Sequence, residues 1–569
     1  MKLFSLFGFI GNNIKLHSIF IVILLFFGSL LEMLGLSLIL PLLSILTNTG
    51  DQNSYLIYLN SIINLDEIDE SNLLIYISVL IASVFLFKNV FLVITYIYQL
   101  KFIKKFHTLL GLKLLNNYLS QSLSFFSDKN SSVFIRNIST DLTLLSYSLT
   151  NFALFILESL ILIFIFILLL IVNFKVTVIV ILIFTVFLII YLTFTKKRIN
   201  IWGNIRQNTE NQKIKIIKET LVFIREIVIY KLRNYYLNLF QQQNSKFISA
   251  VLKHTFVQNL ARLLLEVVAV IGVITLILFS NNNGMEPIEL IPLVGLFAGA
   301  AFKILPSINK IITAYQNIKF TMPVIETFKN ELELIQNKKV NPRIKSTNFR
   351  FKKNIKFKNV SFYHTHKKYI FEKINLEIKK GSFVVLKGES GVGKSTLLDL
   401  LAGFQVSKEG GIIIDDQENV LDILDIWQSL IGFAPQNNVI LDTTLIQNIA
   451  IENKEIVDEK IKEALEISEL NNIVKNLPDG VNTNLGEHGN KISGGQKQRI
   501  GIARTIYNDR DILLFDESTN ALDSNTNIKI LNNLKNYSKN KNKTIIFITH
   551  NDDIINFADQ IIDLSNLKN

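Results

Sequence analysis

The sequence predicts a two-domain chain: an α-helical membrane domain of six spans, followed by an α/β domain. Three observations support this fold class. Apolar runs of spanning length fill the first part of the chain, short strands alternate with helices from about residue 353, and a glycine-rich segment joins one of these strands to a helix. In addition, a chain of 569 residues is too long for one ordinary domain.

The membrane domain is predicted from apolar runs of about 20 residues, the length that crosses a bilayer. Hydrophobic residues make up 49% of the chain, and its mean hydropathy is +0.35. A tight hairpin is expected at 173–175, between the third and fourth spans. The six runs lie at 18–46, 73–99, 150–172, 176–195, 259–280 and 288–310.

The charges between the spans predict the orientation. The loop 47–72 contains five acidic residues and no Lys or Arg, whereas the segments 100–149 and 196–258 are rich in both. Basic segments stay on the cytoplasmic side, so both termini and the α/β domain are expected in the cytoplasm, at the inner membrane of the cell. The net charge of +12 therefore reflects topology, and no nucleic-acid partner is expected.

The change in composition along the sequence also predicts where one domain ends and the next begins. Residues 1–325 are predicted to form the membrane domain, whose helices continue into the two basic segments as long cytoplasmic extensions with coupling loops. Residues 326–352 lose the apolar character and are predicted to be a linker, and 353–569 form the α/β domain. The chain has no cysteine, which excludes disulfides and thiolate metal sites.

The segment GESGVGKST follows the strand FVVLKG and precedes the helix TLLDLLAGF, the context that a phosphate-binding P-loop requires. Its glycines let backbone N–H groups wrap around phosphates at a helix N-terminus. Lys394 would reach the β- and γ-phosphates, and Ser395 would ligate Mg²⁺. The predicted nucleotide-binding residues of this loop are Gly388, Glu389, Ser390, Gly391, Val392, Gly393, Lys394, Ser395 and Thr396.

A second motif, ILLFDE, reads as a buried strand that ends in two carboxylates. Behind a P-loop, Asp516 is expected to hold Mg²⁺, and Glu517 is expected to polarise the attacking water. Surface acids after a strand would be the alternative if the motif stood alone.

Between these motifs, ISGGQKQR (492–499) resembles the signature of ATP-binding cassette (ABC) ATPases, with Ile492 where Leu is usual. Gln436 resembles the glutamine of the Q-loop, NALD (520–523) the D-loop with Asn where Ser is common, and His550 the switch histidine. The resemblance implies an α/β P-loop ABC nucleotide-binding domain that hydrolyses ATP with Mg²⁺. It implies catalytic roles for Glu517, His550 and Gln436, and Mg²⁺ ligation by Ser395, Gln436 and Asp516.

The family fold further implies that ATP lies between Lys394 of one protomer and the signature of the other. The signature residues concerned are Ser493, Gly494, Gly495 and Gln496. One cassette with six spans resembles a type IV half-exporter, so a homodimer is expected, although a different partner chain would also complete the sites. At the adenine-stacking position stands His364 with Tyr363 beside it, and either ring could stack.

Basic residues within the predicted spans indicate what charge the transported substrate carries. Lys88, Arg262 and Lys303 are predicted at one depth toward the inner leaflet, with Lys310 about two turns deeper. In a dimer they would form a belt of eight cations suited to an anionic headgroup. The alternative is snorkelling to the interface, with Glu266 neutralising Arg262 one turn away.

The segments FLFKNVFL and FKILPSINKIITAY resemble the PglK-type lipid-linked oligosaccharide flippases, as does a short external helix expected at 54–70. This resemblance implies a polyprenyl-pyrophosphate-linked oligosaccharide moved from the inner to the outer leaflet. Export of another amphipathic substrate (a lipid A-like glycolipid, a peptide or a drug) and an ATP-gated channel or regulator are the alternatives.

Overall fold

The computed structural model describes residues 11–37, 70–172, 174–282, 287–337, 349–363, 369–451, 455–549 and 552–567. The chain divides into two compact units. The first comprises residues 1–121 and 125–339, and the second comprises residues 340–569 with 122–124.

The first unit is helical. Three of its helices, α2, α6 and α8, contain 50, 49 and 50 residues, about 75 Å each at 1.5 Å per residue and far more than a bilayer requires. The described helices are α1 Asn12–Ser37, α2 Glu70–Leu119, α3 Leu123–Asp128, α4 Ser131–Arg136, α5 Leu142–Val172, α6 Phe174–Val222, α7 Ile224–Ile229, α8 Arg233–Asn282, α9 Pro287–Phe320 and α10 Met322–Asn337.

Five helical segments in the described part of the chain are long and apolar enough to span a membrane. They begin at Asn13, Ser78, Ser131, Phe174 and Arg233, and they overlap the first five predicted spans. The sixth predicted span, 288–310, falls within α9, whose side chains are described from residue 299 onward. The helices also extend beyond the predicted spans, as expected for cytoplasmic extensions.

Packing within this unit follows helical periodicity. Ile161, Ile165 and Leu169 recur every four residues on α5, and all three are buried. Ile304, Ile308 and Ile312 recur in the same way on α9 and belong to the same cluster. Side chains four apart lie on one face of a helix, so these stripes form the seam between α5 and α9.

Two segment boundaries in the structure differ from those predicted from the sequence, and a third predicted segment lies mostly outside the described residues. Only residue 173 separates α5 from α6, so the predicted three-residue hairpin is shorter, because Phe174 and Lys175 already belong to α6. The predicted linker 326–352 overlaps α10, whose Phe328 and Leu332 are buried at helical spacing, so the membrane unit includes this segment. The external helix expected at 54–70 lies almost entirely outside the described residues.

The second unit contains two sheets. Its strands are β1 Asn354–Tyr363, β2 Tyr369–Lys379, β3 Phe383–Lys387, β4 Glu409–Ile414, β5 Glu418–Asn419, β6 Ile431–Ala434, β7 Ile512–Asp516, β8 Thr544–Ile548 and β9 Gln560–Asp563. Its helices are α11 Lys394–Leu401, α12 Leu424–Ser429, α13 Leu445–Ile449, α14 Asp458–Ile467, α15 Asn471–Asn476, α16 Gly494–Tyr507, α17 Ser524–Lys541 and α18 Asp552–Ile555.

The five-stranded sheet is parallel and has the order β6-β7-β8-β3-β9. An antiparallel sheet of four strands has the order β2-β1-β4-β5. Residues 512–515 of β7 are fully buried, as expected for a central parallel strand that is covered on both faces. Because parallel strands point the same way, the carboxyl ends of β3, β7 and β8 meet at one edge of the sheet. In the sequence, the glycine-rich segment follows β3, Asp516 ends β7, and His550 comes two residues after β8.

Candidate functional site

The glycine-rich segment forms a loop between β3 and α11. Gly388, Gly391 and Gly393 have φ of +152°, +80° and +112°, a region that side chains with a Cβ rarely adopt. Gly393 is the residue before α11, so the loop ends at a helix N-terminus with its backbone free to curl around an anion. This is the geometry that phosphate binding requires.

Lys394 is nearly buried at the start of α11. Its Nζ donates to the carbonyl oxygens of Gly388 and Glu389 at 2.8 and 3.0 Å. Burial lowers the pKa of the Lys394 ammonium, while Glu517 and Asp516 counteract that shift. The ammonium is thus held across the mouth of the loop, where phosphate oxygens could replace the two carbonyls.

Replacing Gly393 with Ala is expected to lower ATP affinity at least about tenfold, since even a displacement of about 1 Å in a binding loop is costly. A Cβ at this position would lie 2.6 Å from Ile370 Cγ2 and 2.8 Å from Phe371 Cζ, in a backbone conformation that alanine disfavours. Binding of a fluorescent ATP analogue to the purified chain measures the effect. Gly272→Ala is the control, because nothing lies within 4 Å of its added Cβ. Equal ATP affinity of the two variants would show that the loop conformation at Gly393 is not required for ATP binding.

Asp516 ends β7 beside the loop. Its Oδ1 accepts a hydrogen bond from Ser395 Oγ at 3.4 Å, so two of the three predicted Mg²⁺ ligands lie together. A hydroxyl and a carboxylate are hard oxygen donors of the kind that Mg²⁺ prefers, and this ion takes most of its remaining ligands from water and phosphate. Accordingly, the described residues contain no cluster of three or more His, Asp or Glu side chains that could hold a metal ion by themselves. The donor set fits Mg²⁺ bound together with a nucleotide.

Burial raises the pKa of the Asp516 carboxyl, and nearby Glu517 raises it further, against the effects of Ser395 and Lys394. The Asp516 carboxyl therefore binds its proton more tightly in the folded chain than in the unfolded chain. The ionised group costs stability, and the cost grows as pH rises above about 4, the ordinary pKa of Asp.

Asp516→Asn is therefore expected to raise the thermal unfolding midpoint of the nucleotide-free chain by a few degrees at pH 7 and by nothing near pH 3.5. Roughly 2–4 °C corresponds to 1 kcal/mol in a domain of this size. Differential scanning fluorimetry of both proteins across this pH range measures the difference. A gain that is the same at both pH values would show that ionisation of Asp516 is not its cause.

Glu517 follows Asp516 and has φ of +47°. Its Oε2 accepts a hydrogen bond from Gln436 Nε2 at 2.8 Å and another from Asn520 Nδ2 at 3.0 Å. The predicted catalytic carboxylate and the Q-loop glutamine are thus brought together. The side chain of Asn520 was not among the predicted site residues, although its place in the NALD segment was a usable signal.

The signature segment begins α16. Ser493 is the N-cap, its Oγ accepts from Gln496 N at 3.3 Å, and Gln496 Oε1 accepts from Ser493 N at 2.8 Å. This reciprocal capping box explains the local fold of the segment. Ser493 and Gly494 are exposed at the helix N-terminus, where a phosphate of another molecule could be bound.

The adenine contact and the switch histidine are only partly described. The Tyr363 ring packs edge-on against Tyr369, with a centroid distance of 5.4 Å, and Lys408 Nζ lies 5.4 Å from its centroid. His364 and His550 lie outside the described residues, so their predicted roles remain predictions. Ile548, the last residue of β8, accepts a hydrogen bond from the backbone N of Glu517 at 3.1 Å, so the end of β8 lies beside the backbone of the predicted catalytic residue.

In the membrane unit, the structure pairs all four predicted substrate cations with carboxylates. Lys88 Nζ lies 3.2 Å from Glu32 Oε2, and Lys303 forms an ion pair with the other oxygen of Glu32. Lys88 and Glu32 are 6% and 5% exposed, so this ionic triad of α1, α2 and α9 is buried between the helices, with Lys303 partly open.

The other two cations are also paired. Lys310 Nζ lies 2.7 Å from Glu158 Oε1 on α5, and Ser307 Oγ donates to the other oxygen of Glu158 at 2.7 Å. Arg262 and Glu266 form an exposed pair one helical turn apart at 3.7 Å, as the alternative interpretation expected.

Each of the four basic residues that one protomer would contribute to the expected belt of eight cations thus has a carboxylate partner. Four cations face three carboxylates, which leaves one positive charge per protomer. The physical reason is that an ammonium between apolar helices costs several kcal/mol unless it is paired. Sequence reasoning missed Glu32 and Glu158 as partners, although an acid inside an apolar run was the available signal.

Fold and site together define a P-loop ATPase domain fused to a helical membrane domain. Two family models match the chain: the ABC transporter transmembrane region at residues 18–283 and the ABC transporter family at residues 371–520. Two regions of the chain thus match the membrane-spanning and ATP-binding parts of ABC transporters.

Known proteins resemble the chain in fold and in part of its sequence. A solved structure described as a bacterial Atm1-family ABC exporter with ATP bound has the same fold, with a TM-score of 0.78 and 19% identity over 97% of this chain and 94% of that one. The mitochondrial iron-sulfur clusters transporter atm1 of Aspergillus fumigatus is 33% identical over 46% of this chain and 36% of its own length.

Two further relatives match shorter regions. The ATP-dependent permease MDL1 of Candida albicans is 38% identical, and the alpha-hemolysin translocation ATP-binding protein HlyB of Escherichia coli is 37% identical, each over 37% of this chain. The alignments span only 29% to 36% of these three relatives' own lengths. Two of these names state a cargo, iron-sulfur clusters and alpha-hemolysin, and none of the three denotes a lipid-linked oligosaccharide flippase.

Proposed function

We propose that this protein is an ATP-driven exporter that works as a homodimer and moves an amphipathic substrate across a membrane. The observation that carries the proposal is the phosphate loop, Asp516 and Glu517 held at one sheet edge in a chain that also contains helices of spanning length. Each chain offers one phosphate loop and one signature. Two copies would then complete two ATP sites, each with Lys394 of one protomer and Ser493, Gly494, Gly495 and Gln496 of the other.

In the proposed reaction, Glu517 orients a water molecule and accepts its proton. The water oxygen forms a bond to the γ-phosphorus while the bond from that phosphorus to the bridging oxygen breaks, which releases ADP and phosphate. Lys394 stabilises the charge on the β- and γ-oxygens, and Gln436 fixes the Glu517 carboxylate through the 2.8 Å hydrogen bond. Mg²⁺, held by Ser395, Asp516 and Gln436, would neutralise phosphate charge when bound.

For the substrate, the ion pairs favour an amphipathic molecule of low net charge. A belt of eight free cations would select a strongly anionic headgroup, but carboxylates balance most of that charge. The relatives' names mention iron-sulfur clusters, α-hemolysin and heavy-metal tolerance. Such diversity among sequences of 33% to 37% identity selects no single cargo for this chain.

A lipid-linked oligosaccharide is the second candidate, and one observation favours it. The triad of Glu32, Lys88 and Lys303 keeps one positive charge, and the side chains of Lys303 and Lys310 are 32% and 49% exposed. Two protomers would present two such charges, which matches the two negative charges of a pyrophosphate diester. In this case the substrate would move from the inner to the outer leaflet.

The basic segments between the spans favour a cytoplasmic ATPase domain and a location in the cytoplasmic membrane of a cell. The mitochondrial names belong to relatives that align over 36% and 43% of their own length, so they do not determine the location of this chain.

Stimulation of ATP hydrolysis separates the two substrate candidates. The purified chain in nanodiscs is assayed with a polyprenyl-pyrophosphate oligosaccharide, with a neutral amphipathic drug and with no addition. Stimulation by the neutral amphiphile that persists in Lys303→Met supports the main proposal. Stimulation by the pyrophosphate lipid alone, lost in Lys303→Met, supports the second candidate. Absence of ATP hydrolysis under all conditions would contradict the proposed function itself.

A further inference from the structure

A group of basic side chains, called here the basic rim, flanks the predicted cytoplasmic ends of the first two spans. Its members are the exposed residues Lys15 on α1 and Lys101, Lys104 and Lys105 on α2. The cations within the spans are all paired with carboxylates, whereas no residue of the rim forms an ion pair in the part of the chain that the structure describes. The sequence supplies no local partner either, because neither 1–31 nor 71–127 contains Asp or Glu. The rim therefore keeps its full positive charge.

One lysine of the rim contacts α1 through a histidine. Lys105 Nζ lies 3.5 Å from His17 Nε2, and His17 Nδ1 lies 2.6 Å from the hydroxyl oxygen of Tyr98. An ammonium can only donate, so Nε2 accepts, and the proton of the imidazole is on Nδ1, which donates to Tyr98. The hydroxyl hydrogen of Tyr98 and the remaining hydrogens of the Lys105 ammonium are then left to donate elsewhere. Donors that converge in this way suit the oxygens of a phosphate group.

An apolar groove lies beside this cluster, between α1, α2 and α5. It has a volume of about 420 Å³. Residues 18–25 of α1 and 149–156 of α5 line it, and both stretches begin at the predicted inner boundary of a span, so the groove extends roughly 10 Å into the hydrocarbon region. Its apolar lining includes Ile21, Leu25, Phe102, Leu149, Phe152 and Ile156. A groove with this lining and this depth suits an acyl chain.

Gln99 is a polar side chain in the lining of the groove. It is only 7% exposed, and its amide has no hydrogen-bond partner among the residues that the structure describes. A buried amide without a partner is destabilising, so a ligand that accepts its hydrogen bond would be favoured here. Gln99 lies six residues before Lys105 on α2, about 9 Å deeper in the membrane. In a phospholipid, the ester carbonyls likewise lie deeper than the phosphate.

We propose that the basic rim and the groove together bind one anionic phospholipid of the cytoplasmic leaflet. Lys105 and Tyr98 donate to its phosphate, Gln99 donates to an ester carbonyl, and one acyl chain lies in the groove. A free phosphate would leave the groove empty, and a neutral lipid would leave the rim without a counter-charge, so charge and shape together favour this ligand. The inference uses the predicted orientation of the spans and does not depend on which substrate is transported.

Native mass spectrometry of the full chain in detergent tests the site with two probes, dioleoyl phosphatidylglycerol and dioleoyl phosphatidylcholine. These lipids share their acyl chains and esters and differ in net charge. Wild type is expected to bind phosphatidylglycerol at least about tenfold more tightly, because each basic residue near an anionic headgroup contributes about fivefold. The double variant Lys104→Gln/Lys105→Gln should lose this preference. Gln99→Leu should instead weaken the binding of both lipids about threefold to tenfold, through the lost hydrogen bond.

The matched control is Lys196→Gln/Lys197→Gln. It removes the same charge at the predicted inner end of the fourth span, where both lysines are exposed and neither lines the groove. This variant should keep the wild-type preference. Equal affinities of the two double variants for phosphatidylglycerol would overturn the site. Displacement of the bound lipid by glycerol 1-phosphate, which carries the phosphate without acyl chains, would also overturn it, because the rim would then bind a free anion.

The binding measurement requires no ATP, so its outcome is separate from that of the proposed function. A chain that binds phosphatidylglycerol as expected but hydrolyses no ATP would overturn the proposed function alone. Folding of each variant is checked by its unfolding midpoint without added lipid. If Lys104→Gln/Lys105→Gln does not fold, Gln99→Leu decides the outcome, and unchanged affinity of that variant for both lipids overturns the site.

Discussion

Glu517→Gln is expected to lower ATP turnover about 10²- to 10⁴-fold, the usual contribution of a general base. The substitution keeps the size of the side chain and an oxygen that can accept from Gln436 and Asn520, which lie 2.8 and 3.0 Å from Glu517 Oε2. It removes the negative charge that is proposed to orient and deprotonate the attacking water. ATP binding should be retained, because Lys394 and the phosphate loop are unchanged. Phosphate release and nucleotide binding by the purified chain measure the two effects separately.

The matched control is Glu463→Gln in the same unit. Glu463 forms a surface ion pair with Lys541 at 2.7 Å, and such pairs contribute about 1 kcal/mol or less. This variant should hydrolyse ATP like wild type. Retention of more than about a tenth of wild-type turnover by Glu517→Gln would exclude Glu517 as the base.

The second large effect is expected in the membrane unit. Glu32→Gln removes the carboxylate shared by Lys88 and Lys303 and leaves a buried ammonium without its counter-charge. Breaking a buried ion pair in this way costs about 3–5 kcal/mol. The purified variant is therefore expected to unfold at a clearly lower temperature than wild type in detergent. The loss arises from Lys88, which is only 6% exposed, more than from the partly open Lys303.

A control variant and a rescue variant identify the cause of the stability loss in Glu32→Gln. Glu266→Gln breaks the exposed pair with Arg262 and should change stability by about 1 kcal/mol or less. Adding Lys88→Met to Glu32→Gln removes the stranded charge and should recover most of the loss, because an apolar replacement of a buried pair is often neutral. If Glu32→Gln is as stable as Glu266→Gln, the triad is not a buried ionic contact of the protein in solution.

The sequence was most informative where the pattern within one short segment is enough to predict the structure of that segment. The run FVVLKGESGVGKST predicts a buried strand, a glycine loop and a helix, and the structure has β3, the loop and α11 in that order. The family resemblance also assigned Gln436 and Glu517, 81 positions apart, to one site, and their side chains are in hydrogen-bond contact in the structure. Apolar runs predicted the helices of the membrane unit in the same way, because spanning length is a property of a single segment.

Contacts between distant segments could not be predicted in this way. Lys88 and Lys303 appeared as cations at one depth, but their shared partner Glu32 lies on a third helix. Lys310 likewise pairs with Glu158, more than 150 positions earlier, and helix packing alone brings them together. The overlap of α10 with the predicted linker has a similar cause, since the few apolar residues of α10 recur at helical spacing and are buried only in the folded unit.

Transport in proteoliposomes shows directly whether the protein uses ATP to move an amphipathic molecule across a membrane. The full chain is reconstituted with a neutral fluorescent amphiphile in one set of vesicles and a fluorescent polyprenyl-pyrophosphate oligosaccharide in another. Protection of the probe from an external membrane-impermeant reductant is followed after ATP addition. We expect protection of at least one probe to change with ATP in wild type and in Glu463→Gln, and not to change in Glu517→Gln. ATP hydrolysis without movement of either probe, together with ion flux, would contradict export and favour an ATP-gated channel.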